Sequence, residues 1–130
     1  MSREFKFRVW DSSINEYLQA DQDNPYLYCK LGISYNLSDI MFFYARSKNN
    51  RWVVQQYTGL TDKYDNPIYE GDIVKWDNLN YLVEWNDIAY KWQGRCPYYH
   101  SYHHPTTEHF RDLMNGIIAG NYIENPELLK

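Results

Sequence analysis

The chain has 130 residues, 18% of them aromatic with fourteen Tyr and five Trp, and a formal net charge of −4. That length suits one compact domain, the aromatic surplus favours pleated sheet over a helical bundle, and basic residues scattered singly leave no electrostatic footprint of a dedicated polyanion binder, so nucleic acid is unsupported though not excluded. With no apolar run long enough to cross a membrane and no apolar leader at the N-terminus, a soluble, cytosolic protein with no membrane partner is expected.

Phe5 to Trp10 alternates Phe5, Phe7 and Val9 with Lys6 and Arg8, the period-2 pattern of a half-buried strand, with Trp10 covering the outer face. Residues 11 to 26 are polar and contain Asn24-Pro25, so a loop with at most one short strand is expected. Apolar runs follow at 26–32 and 40–44, and Ser47-Lys-Asn-Asn50 supplies turn chemistry before Arg51 to Tyr57, which predicts a hairpin over about 40–57. Asn36-Leu-Ser-Asp39 reads as a single helical turn. Cys29 and Cys96 form no C-x-x-C pair and read as reduced, partly buried thiols.

Asp62 to Pro67 is a turn in which Asp65 or Asn66 takes a positive φ and Pro67 fixes the exit. Gly71 supplies backbone freedom and the Asp72 carboxylate accepts from loop amides, so the pair aims a strand over Ile73 to Trp76. A four-residue turn, Asp77 to Asn80, returns the chain through Tyr81 to Trp85, with Tyr81, Val83 and Trp85 on one face. Ile88 to Trp92 reads as a third strand. Three short antiparallel strands introduced by Gly-Asp predict an SH3-like barrel in preference to an open twisted meander. Cys96 to Pro105 reads as a surface loop, Thr107 to Met114 as a short helix stopped by Asn115-Gly116, and Gly116 to Ile123 as the last strand. Asn125 as N-cap with Pro126 at the first helical position gives a closing helical turn.

Three segments carry a resemblance. Phe5-Lys-Phe-Arg-Val-Trp-Asp11, Gln56-Tyr-Thr-Gly-Leu60 with Ile68-Tyr-Glu-Gly-Asp-Ile-Val74, and Gly120-Asn-Tyr-Ile-Glu-Asn-Pro-Glu-Leu-Leu129 together resemble the YopX family of phage and prophage proteins. Two departures stand out: Tyr64-Asp65 replaces the usual Asn-Gly, and Tyr122-Ile123 reverses the usual order, which changes the side chain offered to the core. Residues 11–50 and 86–116 match no family segment. The resemblance implies a mostly β architecture, a phage origin and self-association, and it carries no catalytic residue. It marks Gly59, Tyr69, Gly71, Asp72, Gly120, Asn125 and Pro126 as structural positions.

Candidate chemistry is sparse. Cys96, His100 and His104 recur at four-residue intervals, with His103 and His109 nearby, and on a helix would stack thiolate and imidazoles as zinc ligands. Pro97 and Pro105 break such a helix, so a solvated Tyr/His loop with no metal and no cofactor is the expectation. Glu70, Asp72 and Glu84 could pair as acid and base, though Asp72 reads more economically as a turn residue. Tyr90, Trp92, Tyr98, Tyr99 and Tyr102 are candidate contact residues for a partner or for stacked bases, the latter with only Lys75, Lys91 and Arg95 as supporting cations. No nucleophile elbow, phosphate loop or dinucleotide fingerprint is present.

The sequence thus predicts one β-rich α+β domain over 1–130, with an N-terminal β region of about 1–55 packed on an SH3-like barrel of about 56–130 and one or two short helices. The expected role is that of a non-catalytic phage accessory protein in the host cytoplasm, acting through self-assembly and contacts with phage or host proteins. A single-stranded nucleic-acid-binding module is the alternative, and a metal-dependent enzyme built on Cys96, His100 and His104 the third reading.

Overall fold

Strand dominates, as the aromatic and β-branched content requires. The computed structural model describes residues 7–20, 26–29, 34–36, 51–100, 105–109 and 114–130, among which lie twelve strands and one 3-10 helix. Two compact units are present, one of Lys6–Gln56 and one of Tyr57–Lys130 with Met1–Phe5.

In the first unit β1 (Phe7–Asp11) lies between β2 (Glu16–Tyr17) and the first half of β6 (Trp52–Thr61). Its antiparallel register with β6 sets Val9 opposite Val54 and Asp11 opposite Trp52. A second sheet orders β3 (Gln19–Ala20), β4 (Tyr26–Tyr28) and β5 (Ser34–Asn36). Val9, Leu18, Leu27, Cys29 and Trp52 form the core of this unit. Trp10 is buried too, its ring edge-on to Tyr17 at 5.0 Å, whereas Phe7 is exposed despite its place in the alternation. The expected loop over 11–26 is broken by two short strands, because Asn15 at φ 54° reverses the chain and returns Tyr17 opposite Trp10. Asn36 ends β5, and the rest of the helical turn expected over 36–39 and most of the hairpin expected over 40–57 lie outside the described residues.

The second unit opens with the other half of β6 against β7 (Pro67–Tyr69), irregular in register around Gly59. Five antiparallel strands follow: β8 (Asp72–Trp76), β9 (Leu79–Asn86), β10 (Lys91–His100), β11 (Pro105–His109) and β12 (Ile117–Asn121), in the order β11-β10-β9-β8-β12. Ile68, Val74, Tyr81, Val83 and Cys96 make the core, with Leu60, Trp76, Leu79, Trp92 and Ile118 packed around it.

Several local expectations change. Trp76 pairs with Leu79, so the β8–β9 turn is the two residues Asp77-Asn78 rather than four. Both have positive φ, 49° and 64°, the primed geometry whose twist matches a hairpin. Ile88 to Tyr90 is loop and not strand: Asn86 Oδ1 accepts from the N–H of Ile88 and of Ala89 at 2.9 and 3.0 Å, and β10 starts only at Lys91. Cys96 to His100 belongs to β10 rather than to a surface loop. Pro97 is tolerated there because it falls past the last β9 partner, Arg95, and inside the irregular stretch of the β10–β11 pairing. The helix expected from Thr107 is replaced by β11, whose backbone pairs with Gln93, Gly94 and Arg95. The Thr cap signal loses to the sheet, since ladder partners satisfy the same amides.

The Asp77-Asn78 turn yields a direct expectation. Asn78→Val places a β-branched residue at φ 64° and should lower stability by about 1–2 kcal/mol, measured by urea unfolding, while Asn78→Gly should be neutral or stabilising.

Candidate functional site

The segment Gln56 to Trp76 is a network of buried polar groups. Thr58 Oγ1 donates to Ile68 O at 2.7 Å and accepts from Leu60 N at 3.2 Å, bridging the irregular end of β6 to β7. Asp72 Oδ2 accepts from Tyr69 N at 2.8 Å, as expected of a loop-organising carboxylate. Between them Gly71, at φ 87°, donates its N–H to Val83 O and accepts on its carbonyl from Tyr122 N. A side chain there would be strained in this left-handed conformation.

Asp62 is the centre of this network, and the sequence reading passed over it. It is 3% exposed. Its Oδ1 accepts from the N–H groups of Tyr64 and Asn66 at 2.9 Å each, closing the turn in which Asp65 takes φ 63°. Its Oδ2 accepts from Asn66 Nδ2 at 3.4 Å and, across 56 residues of chain, from Ile118 N at 3.1 Å. Lys63 N adds a bond to Gly116 O at 2.9 Å. The turn is thereby fastened along β12. Burial alone would raise the Asp62 carboxyl, but the amides of Ile118, Asn66 and Tyr64 outweigh it and hold the group below its ordinary value. The available signal was the Asp-x-x-x-Asn spacing, which suits an Asx-type turn. Nothing local reveals the distant Ile118 partner.

Asp11 plays a comparable part in the first unit. Fully buried, it accepts from Ser13 N and Oγ and from Arg51 Nε at 3.2 Å. Burial pushes its carboxyl up, and the Arg51 and Ser13 hydrogen bonds bring it below its ordinary value. On the same sheet, Arg8 Nε from β1 and Tyr17 Oη from β2 both donate to Gln55 Oε1 on β6, and the buried Gln55 Nε2 finds no acceptor among the described residues.

At the C-terminal end Asn121 Oδ1 accepts from Ile123 N and Glu124 N. Asn125 does not cap the 3-10 helix Pro126–Leu129 with its side chain; its Oδ1 accepts instead from Asn121 N at 3.2 Å. Gly120 is explained by this contact, because a Cβ there would collide with the Asn125 side chain. Pro126 stands in the first turn as expected.

The β9–β10 hairpin carries the exposed candidates. Trp85 and Trp92 face each other across the strands, edge to face at 5.2 Å, with Trp85 38% exposed and Trp92 Nε1 buried without a hydrogen-bond partner among the described residues. At the tip Ile88 is 92% and Tyr90 78% exposed. The other face of the ladder is a polar row in which Asn86 Nδ2 donates to Gln93 Oε1, Gln93 Nε2 to Glu84 Oε1, and Arg95 Nε to the same Glu84 oxygen at 2.9 Å.

Glu84 is thus engaged by Gln93 and Arg95, and Asp72 by Tyr69, each in a different bond set. Cys96 is buried in the apolar core and His100 ends the same strand. Four residues of strand advance about 13 Å, against the roughly 4 Å that separates two ligands of one zinc ion. Their spacing therefore does not stack them as a helix would. Among the described residues no group of three His, Cys, Asp or Glu is placed to hold a metal ion. Tyr98 and Tyr99 lie in the backbone of β10, and Tyr102, His103 and His104 fall outside the described residues.

The architecture is that of a mostly antiparallel β protein whose buried polar side chains are spent on turns and strand edges. No helix among the described residues is long and apolar enough to cross a membrane. The chain belongs to the YopX family: the family model described as YopX protein matches residues 6–130. No curated protein sequence matches it. Among solved structures, protein EF1440 from Enterococcus faecalis is similar in fold with a TM-score of 0.56 at 19% identity, over 99% of this chain and 100% of that one.

Two measurements check the network. Because the Asp62 carboxyl is lowered in the folded state, its contribution is complete above the ordinary value of 3.8 and is lost as pH falls through the lowered one. Asp62→Asn, which turns one acceptor into a donor facing N–H groups, should cost about 1–3 kcal/mol at neutral pH and flatten the acid limb of a urea-unfolding series; parallel pH curves would contradict this. Gly120→Ala should lower the thermal midpoint, and Gly120→Ala with Asn125→Ala should recover part of the loss, read by scanning calorimetry.

Proposed function

We propose that this YopX-family chain is a non-catalytic phage accessory protein of the bacterial host cytoplasm, acting through self-assembly and contacts with other proteins. The observation that supports this reading most is the tip of the β9–β10 hairpin. Ile88 and Tyr90 are presented to solvent by a loop whose backbone is fixed through Asn86, and a rigid apolar tip loses little entropy on docking. Tyr90 is at φ 51°, a conformation that is strained for an aromatic residue and tends to persist where function requires it. In the same reading the five-stranded sheet of the second unit is an SH3-like small barrel that displays this hairpin.

A second reading rests on the same rings: Tyr90 and the exposed edge of Trp85 stack the bases of a single strand, with the exposed Lys91 as a nearby cation. The low count of basic residues favours the protein partner.

Light scattering across micromolar concentrations should show association that the pair Ile88→Asp, Tyr90→Asp abolishes with unchanged circular dichroism; a strictly monomeric parent overturns self-assembly. Oligonucleotide binding that weakens with salt and vanishes in Tyr90→Ala would select the second reading instead. Tyr90→Gly should relieve the backbone and raise stability by about 1 kcal/mol while weakening association, the signature of a residue kept for contact and not for folding.

A further inference from the structure

Asn115 and Gly116 lead directly into β12 and form the chain's single Asn-Gly dipeptide. Asn115 is exposed and Gly116 buried. The Gly116 carbonyl is held by Lys63 N at 2.9 Å, whereas neither the Asn115 carboxamide nor the Gly116 N–H has a hydrogen-bond partner among the described residues. An amide nitrogen that donates no hydrogen bond gives none up on losing its proton, and the exposed Asn115 side chain brings water to the dipeptide. Glycine also places no Cβ in the way of the neighbouring side chain.

We propose that Asn115-Gly116 is a self-modification site, at which the folded protein converts Asn115 to isoaspartate and so loosens the edge of its sheet. The deprotonated Gly116 nitrogen attacks Asn115 Cγ. A bond forms between them, the Cγ–Nδ2 bond breaks, and the amide leaves as ammonia after taking up a proton from water. The resulting succinimide adds one water. Opening at the main-chain carbonyl carbon gives isoaspartate, with the chain now routed through Cβ and Cγ, and opening at Cγ gives aspartate. Water is consumed and ammonia released, with no oxidant or cofactor required.

The position of the dipeptide gives the reaction a structural consequence. A Cβ at residue 116 would stand 2.7 Å from Lys75 O and from Val74 Cγ1, so this point of the chain has no slack towards β8. Isoaspartate inserts one methylene into the main chain immediately before it. The added length has to be taken up away from β8, where the Lys63–Gly116 and Asp62–Ile118 bonds hold the edge. The reaction also replaces a neutral amide by a carboxylate, taking the formal net charge from −4 to −5, with the new charge three residues from the amide that Asp62 binds.

The test uses the full chain, incubated for days at physiological temperature and mildly alkaline pH, then cleaved after Arg111 and sequenced by mass spectrometry. The expected result is the mass gain of an NH2-for-OH exchange located at Asn115, with methyl transfer by an isoaspartate methyltransferase, and neither change in Asn115→Gln. An intact Asn115 under conditions that deamidate a free peptide of residues 112–120 overturns the proposal, since the fold then protects the site. Modified protein separated by ion exchange should show faster hydrogen exchange over Ile117–Asn121 than the unmodified chain. Equal exchange would overturn the claim that the modification loosens β12.

Discussion

The second unit depends on one carboxylate. Asp62 gathers three backbone N–H groups and one side-chain amide from two parts of the chain, and in doing so it satisfies a donor on the edge strand β12 that no neighbouring strand takes up. An open sheet edge is a template for unwanted pairing. Here a buried acid and its turn occupy that edge. An acceptor-only group is required, because every contact made with its two oxygens is a donor, which is why an amide of the same shape is not equivalent. Asp72, Thr58 and Gly71 extend the arrangement by fixing the two ends of β7 and the entry to β8.

The first unit solves a similar problem with Asp11, but it adds an ion pair with Arg51, whose guanidinium also lies over the Trp52 ring at 4.2 Å. Both units therefore place an ionised aspartate where a strand gives way to a turn. A buried charge is costly unless it is hydrogen-bonded, and each of these is bonded several times. The Gly, Asp and Asn residues around these two positions serve turns and strand ends in this architecture.

Much of this was legible in the sequence where the signal is local. The strand at Val9, the left-handed Asp65, the amide-binding role of Asp72 and the hairpin through Tyr81 all follow from residues within a few positions of each other. Misreadings arose where the partner a residue takes differs from the one its own type suggests. Thr107 has the chemistry of a helix cap, yet β10 offers ladder bonds and the segment becomes strand. Ile88 looks like a strand residue by side chain alone, but the Asn86 carboxamide captures its amide and turns the chain. Asn125 has the identity of an N-cap and is used instead to support Asn121. Among the candidate contact residues, Tyr90 and Trp92 stand unranked in the sequence: exposure separates Tyr90 at the tip from Trp92, half-covered by Trp85.

The two-residue Asp77-Asn78 turn and the Asp62–Ile118 bond also set an order of events in folding. A hairpin closed by a short turn forms on the microsecond scale, since little chain entropy is lost in bringing its strands together. Joining Asp62 to Ile118 closes a loop of 56 residues, and that entropy has to be offset by contacts already made. β8 and β9 are therefore the natural early structure, and the Asp62 carboxylate finds its last donor only once β12 has docked. The same bond that seals the edge is in this sense a completion mark for the sheet, and until it forms the nascent chain carries an open edge beside an ionised, unburied acid.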